Sequence, residues 1–490
     1  MTPVIYDICV IIHFSALGLL SLYGLHRIWL LLIWWRQRRS PAPEPTRSLP
    51  EQFPLVTVQL PIFNERFVAE RLIDAAAGLT WPVEKLEIQV LDDSTDDTCA
   101  IVAGLVAHYH SRGVNIHHIR RTHRHGFKAG ALAEGLVEAK GEFIAIFDAD
   151  FSPAPDFLEK TVRHFADPHV GMVQARWGFR NAEHSWLTGV QALLLGPHFG
   201  IEHQVRFSRG LFFNFNGTAG VWRREAIESA GGWQSDTVTE DLDLSYRSQL
   251  SGWRFVYLSH YSVPSELPVT LAAFRGQQQR WAKGSVQTAR KILPRVLGES
   301  LPPAVKCEAL AHLLANFGWL LGAVVFLTLY PAVVSRVGVG PWQMLRVDIP
   351  LFLVTTVAIL SYFFLFLRGE RSQGSFHRLL ILPMISIGLA PSIALSVIRG
   401  VWSTGGFFER TPKFGIVGRA SLPLQAVLYR QKNLPYLLLN LILLCYSLLP
   451  LMFACQRGTW YALPLFAIFP AGFLLVIVQE AREVCARFRA

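Results

Sequence analysis

The sequence lacks the cysteine spacings that build zinc sites or disulfide frameworks. Its six cysteines stand far apart, with no CxxC pair and no His-rich segment near them, at positions 9, 99, 307, 445, 455 and 485. Structural zinc sites need closely spaced ligands, and small disulfide-bonded domains need a denser set of cysteines. Neither kind of site is therefore expected.

The N-terminal apolar run, at about 8–35, lacks the marks of a cleaved signal peptide. It has no basic n-region and no Ala-x-Ala-like cleavage site, and it is longer than a signal-peptide core. It is therefore predicted to be a retained transmembrane helix. Hydrophobic residues make up 51% of the 490 residues, so we expect more of the chain to lie in lipid.

The formal charge of +10 could suggest a nucleic-acid partner. Basic residues, however, cluster beside apolar runs, as Arg36, Arg38 and Arg39 do after the first one. That is the positive-inside pattern of a membrane protein. The expected partner is the lipid bilayer, and no nucleic acid is expected.

The order of composition along the chain predicts four regions. An N-terminal transmembrane helix with its basic flank is expected at 1–40, a Pro-rich linker at 41–53, a soluble domain at 54–290, and a membrane bundle at 291–490. Five spans are predicted for the whole chain, one at the N-terminus and four in the bundle, together with one interfacial segment; six or seven spans are the alternative. The basic segment 399–433 is expected on the same side of the membrane as the soluble domain. An even number of crossings must then separate the two, yet three apolar runs lie between them. One of the three runs should therefore not cross.

The run at 379–398 is the one chosen to lie in the interface or re-enter. It contains Pro383 and Pro391 and is flanked by Arg378 and Arg399, which suit an interfacial helix better than a span.

Three short apolar runs in the soluble part end in polar or acidic residues: VTVQLPI (56–62), EIQVLDD (87–93) and FIAIFDAD (143–150). With helix-like stretches between them, they predict an α/β domain with a mainly parallel sheet. Ligands of such sheets bind at the carboxyl ends of strands. Four acids fall there, namely Asp92, Asp93, Asp148 and Asp150.

Asp148-Ala-Asp150 is a DxD motif at a strand end. Its hard carboxylate oxygens suit a divalent cation that bridges the phosphates of a nucleotide sugar. A loop of solvated acids is the alternative, because a bare DxD is common by chance. In LDDSTDDT (91–98), Asp92 and Asp93 are interpreted as ligands of a base or ribose, whereas helix capping explains Asp96 and Asp97 equally well.

Two further motifs and one lysine are candidates for chemistry. Glu240 and Asp241 open a helix, whose N-terminus favours an ionised base, although a capping box explains them too. Gln277, Arg280 and Trp281 form QxxRW, in which Arg suits a diphosphate and Trp suits a sugar ring; an amphipathic surface helix is the alternative. Lys128 could meet phosphate charge or be a solvated surface lysine.

Together the elements D, DxD, TED and QxxRW, in this order, resemble the inverting family 2 processive glycosyltransferases, such as cellulose, hyaluronan, chitin and mannan synthases. The similarity extends to connecting segments such as LPIFNER (60–66), FKAGAL (127–132) and ELPVTLAAFRGQQQRW (266–281). These resemble most the cellulose-synthase-like A and C branches, which make glucomannan or mannan and xyloglucan backbones. The resemblance implies an α/β GT-A domain between an N-terminal transmembrane helix and a C-terminal helical bundle.

The resemblance also implies how the donor is bound. Asp92 and Asp93 would hold the base and ribose of a nucleotide sugar, GDP-mannose or UDP-glucose. Lys128, Gln277 and Arg280 would contact its diphosphate.

The family pattern likewise assigns the metal and the acceptor. Asp148 and Asp150 would bind Mg²⁺ or Mn²⁺ together with the diphosphate. Asp241 would be the general base, with support from Glu240, and Trp281 would stack on the terminal sugar of the growing polysaccharide chain.

Two loops complete the resemblance. Phe215-Asn216-Gly217-Thr218 matches the acceptor-side loop of cellulose synthases. Phe408-Glu409-Arg410-Thr411-Pro412-Lys413 resembles their FxVTxK gating loop, with Phe408, Thr411 and Lys413 at the matching positions. Arg410 replaces Val, and Pro412 is added.

The resemblance favours a multi-pass protein of the plasma or inner membrane with a cytoplasmic catalytic domain, polymerising a β-linked mannan, glucomannan or glucan and translocating it. Accessory export subunits are a further expected partner. The alternatives are an enzyme that transfers one sugar to a lipid and a membrane scaffold that has lost catalysis.

Overall fold

The computed structural model describes residues 3–39, 52–336, 341–370, 376–406, 410–418 and 434–489. Most of the predicted linker at 41–53 therefore lies outside the described residues, as does Phe408. The same holds for Arg419, Arg430 and Lys432, on which part of the charge argument depends.

A seven-stranded mixed sheet forms the centre of the soluble domain. In chain order its strands are β1 (Val56–Ile62), β2 (Leu86–Asp92), β3 (Ile116–Arg120), β4 (Phe143–Ile146), β5 (Val170–Phe179), β6 (Gly220–Arg223) and β7 (Arg254–Ser265). Their order across the sheet is β3-β2-β1-β4-β6-β5-β7. Strand β6 runs antiparallel to β4 and β5, and the other neighbouring pairs are parallel. The predicted mainly parallel α/β sheet is thereby confirmed.

Helices cover both faces of this sheet, which explains why the strands are buried on both sides and why even the polar Thr57, Gln59 and Gln89 are buried. In chain order the helices of the soluble part are α2 (Ala69–Ala77), α3 (Thr98–Ser111), α4 (Phe127–Glu138), α5 (Phe157–Val162), α6 (Trp186–Pro197), α7 (Gln204–Ser208), α8 (Arg224–Ser229) and α9 (Glu240–Leu250). A π-helical turn, His198–His203, joins α6 to α7. One apolar cluster centred on β1 and β2 and a second around Trp222 and Phe213 form the core.

The remaining helices surround or follow that domain. They are α1 (Pro3–Arg39), α10 (Leu271–Gly298), α11 (Pro303–Leu313), α12 (Phe317–Ser335), α13 (Pro341–Gln343), α14 (Ile349–Phe352), α15 (Ala358–Gly369), α16 (Arg378–Trp402), α17 (Leu434–Gln456) and α18 (Leu463–Arg489). Among the described residues, six helical segments are long and apolar enough to cross a membrane, α16 included. The chain is an integral membrane protein.

The contacts of α16 show that both of its ends lie beside the soluble domain and α10. Near its start, Arg378 forms an ion pair with Glu183 at 2.8 Å. Just after its end, the Ser403 carbonyl accepts a hydrogen bond from Arg290 of α10 at 3.0 Å. A helix that crossed the bilayer would have its two ends on opposite sides. The contacts are those that an interfacial helix at 379–398 would make, and that placement and the count of five spans stay predictions, because the helix is also long and apolar enough to cross.

A buried network of charges joins α1 to the soluble domain. Arg27 of α1 pairs with Glu202, and Glu202 pairs in turn with Arg206 at 3.3 Å. Arg206 also donates to Glu308 of α11 at 2.8 Å, and His26 lies 2.8 Å from the same carboxylate. Buried charges are stable only when they are paired in this way. The network therefore fixes α1 against α7 and α11.

Candidate active site

The predicted site residues surround one pocket at the carboxyl ends of the parallel strands. Those that line it are Asp93, Lys128, Asp148, Asp150, Asn216, Gly217, Glu240, Asp241, Gln277, Arg280, Trp281, Thr411 and Lys413. They come from the loops after β2 and β4, from the loop before β6, from the starts of α4 and α9, from α10 and from the segment 410–418. Asp92, Phe215 and Thr218 do not line the pocket.

Asp92 and Asp93, adjacent in sequence, have different surroundings. Asp93 accepts a hydrogen bond from Arg121 Nε at 2.9 Å and forms an ion pair with the same guanidinium. Asp92 is 1% exposed and bonds His118 at 2.9 Å. Burial alone would raise the pKa of Asp92, but hydrogen bonds from His118 and Ser94 lower it to about 2. This geometry does not support the predicted contact of Asp92 with the donor.

Two lysines pair with the carboxylates of the DxD motif. Lys128, at the start of α4, forms an ion pair with Asp148 and donates to the Gly217 carbonyl at 2.7 Å. Lys413 lies 2.7 Å from the second carboxylate, Asp150. Burial opposes the charge on Lys128, but the Asp148, Glu240 and Asp241 carboxylates together raise the pKa of Lys128. The alternative of a solvated surface lysine is therefore wrong for Lys128.

The general-base candidate lies at the first turn of α9. Thr239, at the N-cap, makes no side-chain capping bond, so the capping-box alternative is not realised. Burial and the neighbouring Glu240 carboxylate raise the pKa of Asp241 to about 7. Burial raises the pKa of Glu240 as well, although Lys128 opposes that effect. The first turn thus presents a carboxyl group that titrates near neutral pH.

The loop 215–218 packs directly against this carboxyl group. Gly217 has a φ of +80°, and a Cβ built on it would lie 2.9 Å from Asp241 Oδ2. Asn216 faces the pocket, and its side chain is held by His198 at 3.1 Å and His203 at 2.7 Å. Thr218 is fully buried and accepts a hydrogen bond from the Asp148 backbone N–H at 2.8 Å. Within this loop, Asn216 and Gly217 are the members that can meet a substrate.

Helix α10 brings the QxxRW residues to the opposite wall. The i, i+3, i+4 spacing places Gln277, Arg280 and Trp281 on one face of the helix, and all three line the pocket. Gln277 Oε1 is buried with no hydrogen-bond partner among the described residues. The face carries a cation, an unpaired amide acceptor and an aromatic ring. These groups suit a diphosphate and a sugar.

The segment 410–418 lines one side of the pocket, and its backbone is bound by the Glu266 carboxylate. Glu266 accepts hydrogen bonds from the backbone N–H groups of Phe414 at 2.9 Å and Ile416 at 3.1 Å. Arg410, where the family pattern has Val, lies 2.9 Å from Glu65. Burial raises the pKa of Glu65 to about 8. The Arg410 charge lowers this pKa, whereas the Asp150 charge adds to the rise.

Several pocket residues were not predicted from the sequence. Glu65 follows β1 and Glu266 follows β7, so the strand-end argument used for the four aspartates would have found both. Arg124 had no such signal, and neither had Arg121, which binds Asp93 but does not line the pocket. Arg124 lies over the Phe63 ring at 3.3 Å and approaches Asp93, and it lines the pocket beside that phenyl ring.

Asp96 and Asp97 face away from this chemistry. The Asp96 carboxylate accepts a hydrogen bond from the Thr98 backbone N–H at 3.0 Å, at the start of α3. Asp97 forms an exposed ion pair with Arg66 at 3.1 Å. Local capping and surface pairing therefore account for both residues.

The two carboxylates of the DxD motif can hold a hard divalent cation only if other ligands complete the coordination of that cation. Among the described residues, no group of three or more His, Cys, Asp or Glu side chains is placed to hold a metal. Asp148 and Asp150 each keep one carboxylate oxygen without a hydrogen bond from the described residues. Mg²⁺ and similar ions commonly take one or two carboxylates plus phosphate oxygens and water. The pair therefore fits a cation that arrives with a diphosphate.

Comparison with known proteins shows what the domain that contains most of this pocket is similar to. The family model described as "Glycosyl transferase family group 2" matches residues 143–368. Glucomannan 4-beta-mannosyltransferase 2 of Arabidopsis thaliana is 47% identical over 250 residues, which are 50% of this chain and 47% of that protein. Glucomannan 4-beta-mannosyltransferase 1 of Cyamopsis tetragonoloba is 38% identical over 316 residues, or 64% and 60% of the two chains.

The chain carries a family 2 glycosyltransferase domain. The resemblance noted in the sequence is thereby confirmed at the level of the domain. The chain spans about half the length of the curated relatives it matches.

A solved structure gives the fold of this glycosyltransferase domain. It is the mannosyltransferase PcManGT from Pyrobaculum calidifontis in complex with GDP-Man and Mn²⁺, with a TM-score of 0.52 and 21% sequence identity. The match covers 80% of this chain and 99% of that one. The likeness shows the fold, and it confirms the predicted GT-A glycosyltransferase architecture.

Proposed function

We propose that this protein is an inverting, processive hexosyltransferase that builds a β-1,4-linked mannan or glucomannan from a nucleotide sugar and translocates the product across its membrane. The donor we favour is GDP-mannose, with UDP-glucose as a co-substrate or alternative. The relatives named as glucomannan mannosyltransferases and the mannosyltransferase solved with GDP-Man support this choice of donor.

One observation carries the proposal: residues from all four motifs line a single pocket. Asp93 and the DxD pair lie on the donor side, Asp241 lies beside the loop at 215–218, and Gln277, Arg280 and Trp281 complete the wall. The pocket thus has cationic groups for a diphosphate, a carboxyl group that can act as a base, and an aromatic ring for a sugar. These are the three components that glycosyl transfer with inversion requires.

Transfer would begin when Asp241 removes the proton from the acceptor 4-hydroxyl. That oxygen attacks the anomeric carbon of the donor sugar from the face opposite the diphosphate, so the configuration inverts. The bond to the diphosphate oxygen breaks, and the nucleoside diphosphate leaves. A base with a pKa near 7 can perform this step at neutral pH because a useful fraction is ionised.

The charge that builds on the leaving diphosphate needs neutralisation. Lys128 and Arg280 supply fixed positive charge at the pocket wall. A divalent cation, Mg²⁺ or Mn²⁺, bound with the donor by Asp148 and Asp150 would supply the rest. The Mn²⁺ in the complex of the solved relative supports this assignment.

Processivity is supported by the way the pocket meets the membrane helices. Helix α10 carries the QxxRW face and packs along α16. Gln279 of α10 bonds the Ser392 carbonyl of α16 at 3.1 Å and the Tyr436 hydroxyl of α17 at 3.2 Å. An acceptor that stacks on Trp281 would therefore lie next to the helical bundle. We place the domain in the cytoplasm of a plasma or inner membrane, where nucleotide sugars are made.

The purified full-length chain should be offered GDP-mannose, UDP-glucose and UDP-GlcNAc, each with Mg²⁺ or Mn²⁺. The products should then be digested with linkage-specific glycanases. We expect a polymer made from GDP-mannose, alone or with UDP-glucose, that a β-1,4-mannanase cleaves. Asp241→Asn is the matched control, because it should bind donor and make no product.

Three outcomes would contradict the proposal. A singly glycosylated lipid as the sole product would favour the single-transfer enzyme. Equal amounts of product from wild type and Asp241→Asn would show that Asp241 is not the general base. A folded wild type that binds no nucleotide sugar would favour the scaffold.

A further inference from the structure

Two adjoining cavities lie outside the active-site pocket, where the C-terminal end of α1 meets the C-terminal end of α15. They share Trp34 and Arg38. The outer cavity has a volume of about 710 Å³ and the inner one about 640 Å³. Neither contains a residue of the D, DxD, TED or QxxRW motifs. Their role is therefore separate from that of the pocket described above.

The outer cavity is an apolar groove with a basic rim. Leu31, Trp34 and Leu365 lie along its walls, and Arg38 and Arg368 stand at its edge. Arg38 lies over the Trp34 ring at 4.8 Å and donates to the Gly369 carbonyl at 2.8 Å. Apolar walls beneath arginine heads suit an amphipathic ligand whose charged end is anionic.

The inner cavity has a mixed lining of polar and apolar residues, and its charged residues are mostly paired. Arg176 forms an ion pair with Glu370 at 3.0 Å, and Arg378 forms one with Glu183 at 2.8 Å. Arg378 Nε remains buried without a hydrogen-bond partner among the described residues. This chamber therefore offers an unsatisfied donor next to the apolar groove.

The positive charge at the groove mouth is not balanced by any residue that the structure describes. The two glutamates of the inner chamber are already paired with its two arginines. Neither Arg38 nor Arg368 forms an ion pair with a residue in the part of the chain that the structure describes, and Arg368 is exposed. Two uncompensated cations therefore stand at the mouth of the groove. Such a pair attracts a ligand with a phosphate group.

The position of the groove in the molecule points to a ligand from the bilayer. Trp34 and Trp35 end the apolar part of α1 and are followed at once by basic residues, which is the pattern of a membrane-water interface. The α15 end beside them holds Glu370, which pairs with Arg176 of the soluble domain. The groove thus opens at headgroup depth, on the side of the soluble domain.

We propose that this junction binds one anionic phospholipid. Its phosphate lies at the groove mouth with Arg38 and Arg368, and one acyl chain lies along Leu31 and Leu365. Neutral phospholipids share the acyl chains but lack the net negative charge, so the two arginines discriminate between them. The site is independent of which sugar the enzyme transfers.

The proposed site also adjoins the catalytic wall. Trp177 and Phe179 line both the inner cavity and the active-site pocket. A headgroup at this place would contact the reverse side of that wall. Because a change in activity could have several causes, binding itself is the measurement that tests the proposal.

The full-length protein, purified in detergent, should be titrated with phosphatidylglycerol and with phosphatidylcholine of identical acyl chains, and bound lipid should be counted by native mass spectrometry. We expect one phosphatidylglycerol per chain, held about 30-fold more tightly than phosphatidylcholine, from about 1 kcal/mol for each of two arginines. Glycerol phosphate, the headgroup without chains, should not bind at these concentrations.

The double variant Arg38→Gln/Arg368→Gln should lose this preference, whereas Arg38→Lys/Arg368→Lys should retain most of it. Arg482→Gln is the matched control. Arg482 is exposed near the end of α18, next to Glu483, which bonds the α10 backbone. It therefore lies on the side of the soluble domain but outside the groove.

Equal retention of the two lipids by wild type would overturn the proposal without need of any variant. Glycerol phosphate binding as tightly as the lipid would assign the site to a soluble phosphate instead. An equal loss in Arg482→Gln would show general surface charge rather than a site. If Arg38→Gln/Arg368→Gln does not fold, the proposal is tested by comparing the two lipids on wild type and on Arg38→Lys/Arg368→Lys.

Discussion

Asp241 is buried beside Glu240, and the rate of sugar transfer should follow its titration. Its pKa of about 7 means that the base is about half ionised at pH 7 and about 10% ionised at pH 6. Since only the ionised form can accept a proton, kcat/KM should fall about tenfold per pH unit below 7 and level off above about 8. An Asp with its ordinary pKa near 4 would give a flat profile over the same range.

The assay measures initial rates on limiting donor between pH 5.5 and 9, because kcat/KM reports ionisations of the free enzyme. Glu240→Gln gives a second test. The Glu240 carboxylate is the largest charge effect that raises the pKa of Asp241, so its removal should move the acid limb to lower pH. A flat profile in wild type, or a limb that Glu240→Gln leaves in place, would refute the reasoning.

The same titration affects folding. The pKa of Asp241 is raised in the folded state, so folding favours the protonated carboxyl group. Its contribution to stability is complete below about pH 4, the ordinary value, and is lost as the pH rises through about 7. Asp241→Asn should remove this part of the pH dependence of the melting temperature. A variant with the wild-type dependence would show that other groups cause it.

Further predictions concern the metal, the loop and the charge network. Asp150→Ala should make donor affinity, measured by calorimetry, insensitive to EDTA; an unchanged EDTA effect would reject the metal role. Gly217→Ala should cost about 1–2 kcal/mol from its positive φ and reduce kcat, because the new Cβ lies 2.9 Å from Asp241 Oδ2; wild-type turnover would contradict this. Arg27→Gln should destabilise the protein by about 3 kcal/mol in thermal unfolding, because Glu202 is left under-paired. A second change, Glu202→Gln, should recover part of that loss, and its failure to do so would count against the pairing.

Local patterns predicted the elements that carry chemistry. Strand β1 spans the predicted 56–62, because a short, mostly apolar run that is followed by turn residues is typical of a buried strand. The i, i+3, i+4 spacing in α10 was enough to place Gln277, Arg280 and Trp281 on one face. In these cases the information lies within a few residues of the feature it predicts.

Tertiary pairing could not be predicted in the same way. Lys413 meets Asp150 across 263 positions of sequence, and Arg121 meets Asp93 across 28. Neighbours at a strand end point to opposite sides, so Asp92 and Asp93 could not both face the pocket. Which of the two faces the pocket depends on the position of β3, because His118 of β3 forms a hydrogen bond with Asp92.

The charge network between α1 and the soluble domain limits how the protein can be dissected. A fragment beginning after α1 would still fold Glu202, Arg206 and Glu308 into its interior but would lack Arg27 and His26. Arg275 of α10 would likewise lose Glu480 if α18 were removed. Each truncation leaves ionised groups unpaired in a non-aqueous interior. The free-energy cost of this is far greater than that of exposing an apolar helix face. Soluble expression of the catalytic region alone should therefore fail unless those carboxylates and guanidiniums are neutralised together.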